Sequence, residues 1–138
     1  MNKKLPPATD WQARQIEDWN VTTFHAYLAD KHRDMFGCEY VPYRGWQAEK
    51  GMLGRLIGTR GRPGTHDKAM IKRFIDEAFD DYRPSKKYPG TSFGFIYAYR
   101  RYILQRLEAE EAEKAMRKER DKQAEMTAEE YDRLSEWL

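Results

Sequence analysis

From Thr65 to Asp81 the apolar residues Ala69, Met70, Phe74, Ile75, Ala78 and Phe79 recur at steps that keep to one side of a helix. With 3.6 residues per turn they form one stripe, and Lys68, Lys72 and Arg73 lie away from it. An amphipathic helix of this length is marginal alone in water, so the rest of the chain must supply matching apolar faces.

Three further segments supply them. Residues 21–36 place Phe24, Tyr27, Leu28 and Met35 on one face, with Asn20 or a following threonine as the N-cap and Gly37 at the C-cap position. Residues 46–57 form a second helix burying Trp46, Leu53 and Leu56 or Ile57. Its interior Gly51 and Gly54 each weaken it by about 1 kcal/mol or mark a close approach of another backbone. The third begins after Ser92 with Phe93, Phe95, Ile96, Tyr99, Ile103 and Leu107, then runs from Glu108 to about Gln123 as an almost wholly charged helix. Pairs such as Glu110 with Lys114 and Glu113 with Arg117 support that stretch. Thr127 and Glu130 form a capping-box pattern that starts a separate terminal helix.

The expected fold class is therefore all-α: a compact bundle of about four helices, with a long charged helix and a short C-terminal helix. Residues 1–10 read as a flexible arm, 11–107 as the helical core domain and 108–138 as a charged extension ending in an amphipathic helix. A short helix over 11–18 and an extended link at 38–45, with brief strand pairing at 40–43 open, complete the scheme.

Charge is unevenly distributed. Residues 41–107 carry 14 basic and 6 acidic side chains, whereas residues 108–138 carry 6 basic and 11 acidic. A basic block beside an acidic one points to partners rather than to fold. The most distinctive stretch is LIGTRGRPGTHDK (56–68), whose glycines let backbone approach a ligand and whose Arg60 and Arg62 project from a loop. It leads into a helix N-terminus, which favours anions. The GxxxxGK[ST] spacing of a phosphate-binding loop is absent. With Arg44, Arg55, Lys68, Lys72, Arg73, Lys86, Lys87, Arg100 and Arg101, and with Arg83 nearby, these arginines are the candidate nucleic-acid contacts, provided they converge. Tyrosines such as Tyr88 stand ready to stack on bases. The alternative is a surface loop with arginines for solubility. A helix-turn-helix is disfavoured, because the 58–67 connection is longer than its usual turn.

Catalytic signals are weak. His25, His32 and His66 belong to no nucleophile or metal motif, Cys38 is the only cysteine, and a zinc site lacks its fourth ligand. Asp76, Glu77, Asp80 and Asp81 could hold a divalent cation, but a solvated face or pairing with nearby cations explains them equally. The reading is non-enzymatic, with no cofactor and no metal. The single cysteine, the absence of an apolar run after Lys3 and Lys4, and the lack of a membrane-length apolar segment lead to the expectation of a cytoplasmic protein without membrane contact.

Two features suit a protein partner. The aromatic run YPGTSFGFIYAYRRY (88–102) has more rings than one core face needs; burial on two sides or an exposed strip are the alternatives. At the C-terminus Tyr131, Leu134, Trp137 and Leu138 form an apolar edge that could fold back, dock in a partner's groove or make a homodimer. The run FGCEYVPYRGWQAEKGMLGRLIGTRGRPGTHDKAMIKRFIDEAF, followed by YPGTSFGFIYAY, resembles small proteins encoded in the early or replication regions of tailed bacteriophages. That resemblance, over 36–102, implies a DNA-linked accessory role in replication, transcription control or the blocking of a host enzyme.

Overall fold

The computed structural model describes residues 4–137 and is mostly helical. In chain order the elements are α1 (Val21–Phe36), α2 (Trp46–Ile57), a two-residue antiparallel ladder of β1 (Gly58–Thr59) and β2 (Arg62–Pro63), α3 (Lys68–Asp81), α4 (Phe93–Tyr99) and α5 (Arg101–Glu136). Contacts divide the chain into a unit ending at Leu104 and a second unit from Gln105 onward.

In the first unit, α1 starts where Asn20 and Thr23 exchange side-chain-to-backbone hydrogen bonds, and it ends at Gly37 in the left-handed conformation (φ 72°). Helix α2 packs against α1, α3 and α4. Phe24, Leu28, Leu53, Ile71, Phe74, Ile75, Phe79, Phe93 and Ile96 are fully enclosed between them. Truncating one of these phenylalanines to alanine typically costs about 3–5 kcal/mol, so this cluster is what fixes the helices' relative positions.

Several expectations are corrected. Residues 11–18 form turns and a short 3-10 helix at Ile16–Asp18 in place of an α-helix, and the Trp11 indole donates to Asp30 Oδ2 at 2.7 Å. Met35, Trp46 and Ala69 lie on the solvent side. Among the described residues, 40–43 pair with no strand and the only ladder is the 58–63 hairpin. Helix α3 begins after Asp67, not Thr65. Thr65 and His66 instead donate their backbone N–H groups to the Arg55 and Leu56 carbonyls, which α2 itself leaves without partners at its C-terminus.

The expected single helix from Ser92 is interrupted at Arg100 (φ −126°, ψ 23°). The Ser92 hydroxyl does cap α4, accepting from the Phe95 N–H at 3.2 Å. The interruption lets Arg100 (3.6 Å) and Tyr102 (3.1 Å) both reach the Asp81 carboxylate. Residues two apart on a continuous helix point to different faces and would not converge in this way.

The second unit is the remaining length of α5. No separate terminal helix forms: Thr127 lies inside α5 and donates its hydroxyl to the Gln123 carbonyl at 2.9 Å, so the capping box is not made. Glu113 pairs with Arg117 (2.9 Å) as the spacing predicts, but Glu110 pairs with Arg106 (3.3 Å) and Lys114 with Glu111 (3.8 Å). No helix among the described residues is long and apolar enough to cross a membrane.

Candidate functional site

A buried carboxylate organises one side of the first unit. Glu49 on α2 is fully enclosed. It accepts from the Tyr40 hydroxyl, the Tyr43 N–H (2.9 Å) and the Gly94 N–H (3.1 Å), and lies 3.1 Å from His25 Nε2. The Tyr40 oxygen in turn accepts the Phe93 N–H at 2.8 Å. One side chain thus ties α1, the 38–45 link, α2 and α4 together. Burial, and then the adjacent Glu49 charge, push the Tyr40 phenol well above its ordinary pKa, because ionising it would set two anions side by side. The seam is tight: a Cβ at Gly94 would lie 2.6 Å from that of Tyr43.

A second anchor is His32, 2% exposed. Its Nδ1 lies 2.9 Å from the Cys38 carbonyl and its Nε2 lies 3.3 Å from the Thr91 amide nitrogen. A neutral ring with its hydrogen on Nδ1 donates to the first and accepts from the second. Gly90 lies against the same ring with no room for a Cβ. Beyond it the 85–88 turn closes on itself, since the Ser85 N–H and the Tyr82 hydroxyl both donate to the Tyr88 carbonyl, at 3.0 and 2.8 Å. Lys86 and Lys87 occupy its apex. Rings then follow one another from Phe36 to Tyr82 (5.7 Å), Phe95 (6.1 Å) and Tyr99 (4.9 Å).

Between the 38–44 and 82–92 segments these contacts leave a cleft of about 810 Å³. Tyr43, Tyr82, Tyr88, Phe95 and Tyr99 supply its rings, and Arg44, Arg83 and Lys87 its cations, against the single carboxylate of Glu39. Among the described residues none of those three cations pairs with a carboxylate. The Arg44 guanidinium lies over the Tyr43 ring at 5.3 Å and Lys87 Nζ over Tyr88 at 5.6 Å. Arg44 is held at φ +60°, a conformation that side chains rarely adopt. The Tyr99 phenol is raised above its ordinary pKa, chiefly by its hydrogen bond with the Tyr43 hydroxyl.

Of the eleven cations that the sequence singles out, only Arg44 and Lys87 line this cleft, joined by Arg83. Lys72 is paired with Asp76 (3.0 Å), Arg73 with Glu77 (3.0 Å) and Arg100 with Asp81. Lys68 donates to the Glu17 carbonyl, and Arg101 lies over the Tyr97 ring at 3.8 Å. Arg60 and Arg62 are exposed on the hairpin, with Arg55 exposed on α2 and Lys86 on its turn. At the hairpin Gly58 and Gly64 press against each other's backbone; on α2, Gly54 meets the Thr59 side chain and Gly51 faces open space. In the second unit Tyr131, Leu134 and Trp137 are exposed, and Leu138 lies outside the described residues.

In the acidic cluster on α3, Asp76, Glu77 and Asp81 are paired with neighbouring cations, Asp76 also lying 3.3 Å from Lys31. Among the described residues no three His, Cys, Asp or Glu side chains gather as a metal site. Sequence reasoning missed Glu49, His32, Tyr82 and Thr91. Their roles depend on partners 6 to 59 residues away and mostly outside their own helix, so no local spacing marks them. No family model, curated protein or solved structure matches the chain.

Proposed function

We propose that this chain is a non-enzymatic accessory protein of the tailed-phage type, acting in the cytoplasm, that binds nucleic acid in support of replication or transcription control. The observation that carries this reading is the cleft, where Arg44, Arg83 and Lys87 stand without carboxylate partners among five aromatic rings. Cations beside ring faces suit a polymer of phosphates and bases: the cations attract the backbone and the rings stack with bases. Arg55, Arg60 and Arg62 around the hairpin would add further phosphate contacts.

The test is binding of the purified chain to labelled DNA and RNA at low and moderate salt. Contact with three phosphates of a single strand gives a slope of roughly −2 in log K against log salt. The pair Arg44→Ala, Lys87→Ala should weaken binding about tenfold, and Arg60→Ala, Arg62→Ala by less. The reverse order would move the interface to the hairpin. No binding even at low salt would overturn the reading.

A second reading is favoured by one observation: Tyr131, Leu134 and Trp137 expose 74, 64 and 89% of their surfaces on the last turns of α5. Such an edge suits the groove of a partner protein that the chain inhibits or recruits. Capture of that partner would persist at high salt and be lost on Trp137→Ala, leaving nucleic-acid binding unchanged.

A further inference from the structure

We infer that the cleft holds unpaired nucleotides, one or two bases inserted among its rings with their phosphates on Arg44, Arg83 and Lys87. This rests on the nucleic-acid reading above and narrows it from a charged surface to a strand-selective pocket.

Shape is the first support. A volume of about 810 Å³ falls in the range, roughly 300–1,000 Å³, of pockets that enclose a small molecule. A duplex keeps its base faces stacked inside and would offer this cleft only its phosphates. An unpaired strand offers both base faces and phosphates. Tyr88 and Tyr99, 62% and 57% exposed, present ring surface that the core does not use.

Charge is the second and independent support: the three cations against one carboxylate give the rim the sign that a phosphodiester strand requires.

The experiment compares labelled 12-mers, mixed-sequence single-stranded DNA and its RNA counterpart, with the duplex of the same sequence at moderate salt. Two chains are titrated: the full wild-type chain, and Tyr88→Ala with Tyr99→Ala. Circular dichroism confirms the fold of each. The expected result is single strand bound at least tenfold tighter than duplex. Loss of the two exposed rings should reduce single-strand affinity about five- to a hundredfold and leave duplex affinity unchanged. The DNA and RNA arms show which sugar the cleft accepts.

Equal binding of duplex and single strand, or indifference of the single strand to loss of the two rings, overturns the pocket and leaves a phosphate-tracking surface. Failure of every nucleic acid to bind overturns that reading as well.

Discussion

Two places in the first unit combine tyrosine, cations and carboxylate, and they are built oppositely. On the α1–α3 flank, Tyr27 is buried and donates its hydroxyl to Asp76, whose oxygens also hold Lys31 at 3.3 Å and Lys72 at 3.0 Å. Lys72 Nζ lies 4.9 Å from the Tyr27 ring centroid, with Trp11 against the same ring at 4.8 Å. Every group there is answered by another group of the same chain. In the cleft, Arg44, Arg83 and Lys87 outnumber Glu39, and Tyr88 and Tyr99 are exposed. The same residue types are cement in one place and unfilled capacity in the other. The difference lies in whether each charge and ring already has a partner, which composition does not record.

The largest way to break the comparison is to remove what keeps the cleft open. Glu49→Ala takes the acceptor from the Tyr40 hydroxyl, two backbone N–H groups and His25 at once. Leaving several buried donors without their common acceptor should cost about 3–5 kcal/mol in urea unfolding. Nucleic-acid binding should fall even where the variant stays folded, because Tyr43 and α4 lose their common anchor. A loss below about 1 kcal/mol would mean that Glu49 is not the post on which the cleft hangs.

Much of the helical frame was legible, for identifiable reasons. The start of α1 at Asn20 and its end at Gly37 follow from local capping chemistry, and the bounds of α2 follow from its apolar spacing. The misses have physical causes too. Glu49 sits in a run, WQAEK, whose local pattern reads as a solvated helix face; only the arrival of Tyr40, His25 and Gly94 from elsewhere turns it inward. The break at Arg100 has no glycine or proline to announce it and tracks two contacts with Asp81. Thr127 has the sequence of a cap, yet continuous helix formers on both sides carry α5 through it. The GTRGRPG loop drew notice because its arginines are adjacent in sequence. The cleft assembles Arg44, Arg83 and Lys87 from two separate segments and leaves no such mark.

Alkaline pH sharpens the comparison next. Tyr27 and Tyr40 both have phenols raised by burial, followed by the charge and hydrogen bond of Asp76 and Glu49 respectively. The folded state thus retains protons that the unfolded chain releases near pH 10. Their stabilisation is complete below about pH 10 and is lost as pH rises toward the folded values. Each tyrosine lowers stability by up to about 1.4 kcal/mol per pH unit in that window. Thermal melts between pH 8 and 12 should show a steep fall above 10. Tyr27→Phe and Tyr40→Phe should each flatten it.

The smallest effects make the sharpest contrast, because they should differ in sign. Lys72→Ala removes an ion pair and a ring contact on the flank. Each is worth a fraction of a kcal/mol at this exposure, so the variant should lose about 1 kcal/mol of stability and keep its nucleic-acid affinity. Arg44→Gly acts on a residue held at φ +60°, where a side chain costs about 1–2 kcal/mol and glycine almost nothing. Glycine's greater freedom in the unfolded chain offsets part of that relief, by about 0.5–1 kcal/mol. Stability should therefore be unchanged or up to about 1 kcal/mol higher, while salt-dependent binding weakens severalfold. A backbone strained to aim a cation at solvent makes sense where the cation meets something outside the chain. If Arg44→Gly destabilises the fold and leaves binding intact, Arg44 belongs with Lys72 as cement, and the division between the two regions fails at its most exposed point.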